Sequence, residues 1–158
     1  MNWQEVVENP SLQNLPFKIE LNERGQIIMN AVKLNHSAYQ IEIALLMKSV
    51  RQDGKILAEC AVWTPKGTKS ADIAWFSSER WKKVKGKVEA DVAPEVCVEV
   101  LSISNTDNEM KEKRKLYFEQ GAKEVWICDE YGKMSFYNSK RKIKASGLFP
   151  EFPDKIEI

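Results

Sequence analysis

Two carboxylates sit where a carboxylate is expensive. Glu99 is the single charge in the apolar run VCVEVL (residues 96–101), and Asp72 falls in ADIAWF (residues 71–76). Burying either group uncompensated is costly. Side chains alternate along a strand, so Glu99 shares a face with Glu95, Cys97 and Leu101, while Val96, Val98 and Val100 point the other way. By the same rule Asp72 joins Ala74 and Phe76. If the two strands are neighbours, the carboxylates repel unless a cation stands between them.

The segment after Glu99 offers such a cation. Thr106 and Glu109 have capping-box spacing, and Gly121 stands where a helix stops, so residues 107–120 are predicted to be helical. At 100° per residue, Met110, Leu116, Tyr117 and Phe118 form its apolar side. Lys113 and Arg114 each flank that stripe by roughly 50°. Geometry leaves the choice between them open, and either can also snorkel to solvent. Two carboxylates and an ammonium suit a hard cation such as Mg²⁺ or Mn²⁺, held by Asp72, Glu99 and a backbone carbonyl near Val100. The nearby ammonium would favour attack by water on a phosphodiester.

Competing chemistries find little support. One histidine and three scattered cysteines cannot build a structural zinc site of the usual spacing. There is no GxxxxGK phosphate loop and no GxSxG elbow. A Cys/His dyad would have to join His36 to a cysteine in an apolar run.

The elements that must position these groups read in order. FKIELNERGQIIM (17–29) is a hairpin turning at Gly25, expected at an edge, and residues 1–16 are an N-terminal extension with at most a short helix. Residues 35–50 form a helix, with Asn35 as N-cap and Ala38, Ile41, Ala44, Leu45, Leu46 and Met47 as apolar positions. Strands follow at 53–64 and 70–77. Residues 78–93 are a basic loop or short surface helix. The central strand at 94–101, the helix and the strands at 124–129 and 134–139 complete the chain, with one more possible strand in the tail. The hairpin-α-β-β-β-α-β-β order predicts a single α/β domain over residues 1–158, its mixed sheet flanked by helices.

Composition agrees with a soluble globular protein: 158 residues, 43% hydrophobic and 30% charged, with five Trp. The net charge of +1 excludes a polycation that coats nucleic acid. Three basic clusters lie at 80–87, 111–115 and 140–144. Each alone reads equally as solvated surface; together they could face phosphate. Cys60, Cys97 and Cys128 read as reduced, buried residues. The N-terminus has no signal-like pattern and no run is long enough to span a membrane, so a cytoplasmic protein is expected.

SADIAWF, PEVCVEVLSISNT, EKRKLYFEQGAKEVWICD and GKMSFY resemble successive motifs of the Uma-type family of restriction-endonuclease-like proteins, formerly a domain of unknown function. That family is assigned to the PD-(D/E)xK nuclease superfamily. The resemblance covers roughly residues 17–152 and implies a restriction-endonuclease-like core. It also implies a Mg²⁺- or Mn²⁺-dependent site that cuts DNA. Asp72 takes the aspartate of the Pro-Asp motif, whose proline is Ala71 here. Glu99 takes the acidic strand position, and Leu101 stands where the superfamily usually has lysine. In this family the lysine moves to the following helix ahead of a tyrosine, which matches Lys113 with Tyr117 and breaks the tie with Arg114. The implied catalytic set is Asp72, Glu99 and Lys113, with Asp72 and Glu99 as metal ligands. Glu42 and Glu59 are weaker acidic candidates, and His36 reads as a surface residue near a helix start. A homodimer is expected by analogy, since two symmetric sites cut a duplex most simply. The alternative is a catalytically inactive module of the same fold that binds nucleic acid or protein and keeps Glu99 and Lys113 as a buried ion pair.

Overall fold

A computed structural model describes all 158 residues. A short helix, α1 (Trp3–Glu8), and a 3-10 turn at Pro10–Leu12 lead into a hairpin of β1 (Phe17–Leu21) and β2 (Ile27–Ala31). The chain continues through α2 (Leu34–Val50), β3 (Lys55–Val62), β4 (Lys69–Phe76), α3 (Ser78–Val84) and β5 (Val96–Val100). It ends with α4 (Asp107–Glu119), β6 (Glu124–Cys128), β7 (Met134–Asn138) and the two-residue β8 (Lys142–Ile143).

β3 to β8 form one six-stranded sheet in chain order. Only β5 and β6 run parallel, joined by the crossover through α4; every other pair is antiparallel. This is the α/β architecture with a mixed sheet that the element order predicts. Val96, Val98 and Val100 face α2, where they pack with Ile43, Met47, Trp75, Trp126 and Phe149. Ala74, Phe76 and Cys97 face α3 and α4, packing with Val84, Met110 and Tyr117. Burial on both faces explains why β5 and β6 read as near-continuous apolar runs.

Four expectations need correction. The hairpin turns at Gly25 as anticipated, with φ +71°, but it is not an edge of the main sheet. It forms its own two-stranded sheet laid against β4, where Leu21 N donates to Thr68 O at 2.9 Å. Second, Asn35 is not the N-cap of α2: the cap is Lys33, which makes no side-chain capping bond, so Asn35 lies inside the first turn. Third, α2 buries His36, Tyr39, Ile43 and Met47, while Ile41 and Leu45 are 58% and 60% exposed. The helix carries more apolar residues than one stripe can bury, and contact with the sheet selects the stripe. Fourth, the tail forms no strand, only an isolated bridge between Lys133 and Lys155; Glu124 holds the start of the tail by accepting from Ser146 Oγ, Gly147 N and Leu148 N at 2.6–3.0 Å.

The three cysteines are free and buried. Burial pushes the Cys60 and Cys128 thiols up to about 12. No helix is long and apolar enough to cross a membrane.

Candidate active site

β4 and β5 pair antiparallel with Ile73 opposite Val98, so Asp72 and Glu99 come to lie side by side at the end of that ladder. Both are almost fully buried. They line a cavity of about 330 Å³, whose rim includes Ser102, Ser104 and Asn105 from the turn leading into α4. That turn is tied off by Asn105, whose side chain accepts from Ser102 N at 2.8 Å. α4 then starts at a full capping box between Thr106 and Glu109, an arrangement worth about 1 kcal/mol at the cap residue.

The two basic residues that flank the apolar stripe of α4 point to different places. Lys113 is buried against the site, its Nζ 3.0 Å from Glu99 Oε1 and 2.6 Å from Glu20 Oε1. It also donates to Ser70 O at 3.3 Å. Arg114 turns away, its guanidinium 4.0 Å from the centre of the Tyr137 ring. One helical turn beyond Lys113, the buried Tyr117 hydroxyl donates to Glu99 Oε1 at 2.7 Å.

Four further groups complete the site. From β1, Lys18 Nζ lies 2.7 Å from Asp72 Oδ1 and 3.2 Å from Glu99 Oε2. Two residues along, Glu20 accepts from Lys113 and from Ser70 N at 2.8 Å. From α2, His36 is not a surface residue but buried, its Nε2 3.3 Å from Asp72 Oδ2. Its Nδ1 is buried without a hydrogen-bond partner. Val100 enters through its amide, which donates to Asp72 Oδ2 at 2.7 Å.

Glu42 makes no side-chain hydrogen bond or ion pair with this group. Glu59 is exposed and accepts from Gln40 Nε2 at 2.9 Å and Ser70 Oγ at 3.2 Å. Glu59 adopts φ +51°, and the β3–β4 ladder skips it opposite Asp72. The carbonyl of Asp72 is taken instead by Gln40 Nε2 at 2.7 Å. A non-glycine residue in this conformation carries backbone strain, here beside the site.

The charges respond unequally to burial. Burial alone would discharge Lys18, but Glu99, Asp72 and Glu20 outweigh it and hold the ammonium charged. Burial likewise opposes the Asp72 and Glu20 charges. Lys18 and His36 pull Asp72 well below the usual carboxylate range, and Lys113 and Lys18 pull Glu20 down. For Glu99 burial prevails over the pull of Lys113 and Lys18, and its carboxyl is raised.

Whether a hard cation suits these residues can be read from their oxygens. Asp72 Oδ1 and Glu99 Oε2 converge on one ammonium nitrogen, so both already point at a single cation position. No group of three or more His, Cys, Asp or Glu side chains is arranged to hold a metal ion. Two carboxylates with water and phosphate oxygens are the usual donor set of Mg²⁺, and the pair fits it once Lys18 withdraws.

Away from the cavity, Lys111, Arg114 and Lys115 of α4 meet Lys140, Arg141 and Lys142 along an open groove of about 950 Å³. Two of the three basic clusters are thus brought together. The third lies on α3 and the loop beyond it, with Arg80 committed to Ala93 O, Gly121 O and Glu95.

The fold is of the restriction-endonuclease-like α/β class. It is similar to the crystal structure described as "a putative nuclease belonging to DUF820" from Anabaena variabilis ATCC 29413. That likeness has a TM-score of 0.68 at 20% identity, over 89% of this chain and 81% of that one. The family model Uma2, described as "Putative restriction endonuclease", matches residues 3–142. The chain belongs to the Uma2 family. Comparison with curated proteins gives no match.

Proposed function

We propose that this protein is a divalent-metal-dependent endonuclease that hydrolyses DNA phosphodiester bonds at the cavity between β4, β5 and α4. Family membership supports a nuclease. The observation that carries the finer reading is the convergence of Asp72 Oδ1 and Glu99 Oε2 on one cation position, with Lys113 Nζ 3.0 Å from the other Glu99 oxygen.

Asp72 and Glu99 would hold Mg²⁺ or Mn²⁺, which when bound supplies Lewis-acid polarisation of the scissile phosphate. Val100 N and His36 fix Asp72 from behind, and Tyr117 fixes Glu99. Lys113 stands at the cavity wall, where it orients the attacking water and offsets charge developing on the phosphate oxygens. Glu20 holds Lys113 in place from β1. The basic groove beside α4 supplies phosphate contacts independent of base sequence, and two copies related by a twofold axis would cut both strands of a duplex.

The test is nicking of supercoiled plasmid with Mg²⁺ or Mn²⁺. Wild type is expected to nick, while Asp72→Ala, Glu99→Ala and Lys113→Ala lose the activity and keep their folded spectra. Wild-type protein that cuts neither DNA nor RNA with either metal overturns the proposal.

One observation favours a second reading, a non-catalytic nucleic-acid- or protein-binding module. Lys18 already compensates both carboxylates. Under that reading calorimetry would find no Mg²⁺ uptake, and salt-dependent DNA binding would persist in Asp72→Ala.

A further inference from the structure

Asp72 and Glu99 divide their two oxygens in the same way. Asp72 Oδ2 is fixed by Val100 N at 2.7 Å and His36 Nε2 at 3.3 Å, and Glu99 Oε1 by Tyr117 at 2.7 Å and Lys113 at 3.0 Å. The second oxygens, Asp72 Oδ1 and Glu99 Oε2, meet only Lys18 Nζ, at 2.7 and 3.2 Å. The Lys18 side chain is 10% exposed. A cation drawing on both carboxylates needs the same two oxygens, and an ammonium and a dication cannot share one position.

We infer that Lys18 is a built-in counter-cation that closes the metal position when no divalent ion is bound and is exchanged for that ion when it enters. This rests on the reading of Asp72 and Glu99 as the metal-holding pair. Two facing carboxylates with no cation between them would leave uncompensated buried charge, and Lys18 removes that cost. The protein therefore folds without metal, unlike sites whose ligands depend on the ion for folding. The consequence is weaker apparent affinity, because binding must first displace the ammonium.

The placement of Lys18 suits exchange. It projects from β1, in a two-stranded sheet separate from the six-stranded one. The lysine stem can swing aside without breaking a ladder bond of β4 or β5. By contrast Lys113, held by Glu20, Glu99 and Ser70 O, is positioned to stay. The division of labour is thus one resident lysine and one that yields, and Lys18 acts on metal occupancy rather than on the reacting atoms.

The exchange is tested by Mn²⁺ titration calorimetry and thermal melts of wild type, Lys18→Met, Lys18→Gln and Lys18→Arg. Lys18→Met and Lys18→Gln are expected to bind Mn²⁺ about tenfold or more tighter than wild type, the factor expected when a competing state is removed. Both should melt below wild type without metal and rise further on adding Mn²⁺. Lys18→Arg, which keeps the charge, should bind no tighter than wild type. Adding Asp72→Asn to Lys18→Gln should abolish the gain. Equal or weaker Mn²⁺ binding in Lys18→Met and Lys18→Gln, with wild type still taking up metal, overturns the exchange and leaves the nuclease reading standing. Mn²⁺ uptake by none of the proteins overturns both. Lys18→Gln preserves a hydrogen-bond donor to the two oxygens, so the test survives a Lys18→Met protein that does not fold.

Discussion

Lys113 reaches back from α4 to set its Nζ 3.0 Å from Glu99 Oε1, so the helix that follows β5 returns a cation to the only carboxylate of that strand. The capping box at Thr106 fixes where the helix begins and hence which residue arrives there. Lys113→Met would leave Glu20 and Glu99 buried with one partner fewer, a loss of about 3–5 kcal/mol in urea unfolding. Lys113→Arg should recover part of that stability but little nicking, because a planar guanidinium cannot replace a point charge packed between three acceptors. Full activity in Lys113→Arg would remove the lysine from its proposed role.

Asp72 and Glu99 should respond oppositely to neutral substitution. The cluster holds three carboxylates, Glu20, Asp72 and Glu99, against two ammonium groups, Lys18 and Lys113. Burial raises the Glu99 carboxyl, while the surroundings of Asp72 favour its charge. Glu99→Gln is therefore expected to melt at or above wild type at pH 7. Asp72→Asn should melt lower, losing about 1–3 kcal/mol with its charge-assisted bonds. Both should lose Mn²⁺ uptake. A site kept for catalysis at some cost in stability gives this order; the reverse order of melting temperatures contradicts the charge assignment.

The pH dependence follows from Glu20. Its carboxyl is lowered because Lys113 and Lys18 outweigh burial, so the unfolded chain binds its proton at higher pH than the folded one. The stability this contributes is fully present above the unfolded value, roughly 4.3 for glutamate, and is lost as pH falls through the lower folded value. Wild type should therefore out-melt Glu20→Gln at pH 7, with the gap closing as acid is added below about pH 4. A gap that persists unchanged to pH 2 would show that Glu20 contributes by shape and not by charge.

Much of the acidic half of the site is legible in the sequence. A lone charge in VCVEV or ADIAWF has few inexpensive explanations, and strand alternation fixes its face. Lys113 is half legible: helical geometry narrows the cation to two residues, and the family motif with Tyr117 chooses. Lys18 and Glu20 are hidden because FKIEL alternates charged and apolar residues as a solvated strand does. Their burial arises from the hairpin lying against β4, a tertiary contact with no local signature. His36 is hidden for a related reason. The apolar residues of α2 spread around the helix, and only docking on the sheet shows that the buried stripe of Tyr39, Ile43 and Met47 begins at the histidine.

The groove beside α4 links that helix to substrate binding as well as to the site. Lys113 faces the cavity, while Lys111, Arg114 and Lys115 of the same helix face the groove with Lys140, Arg141 and Lys142. Cations spaced along one groove suit a phosphate backbone, and each phosphate they neutralise adds a counterion-release term. Replacing Lys111, Lys140 and Arg141 with Ala is expected to weaken DNA binding about equally for unrelated sequences. It should also flatten the dependence of log affinity on log salt by about one for each phosphate no longer neutralised. Mn²⁺ uptake should be unchanged, since none of the three touches Asp72 or Glu99. Fluorescence anisotropy over a salt series in Ca²⁺, compared with plasmid nicking in Mg²⁺, separates the two roles. A salt slope identical to wild type would place the nucleic acid on another face of the molecule.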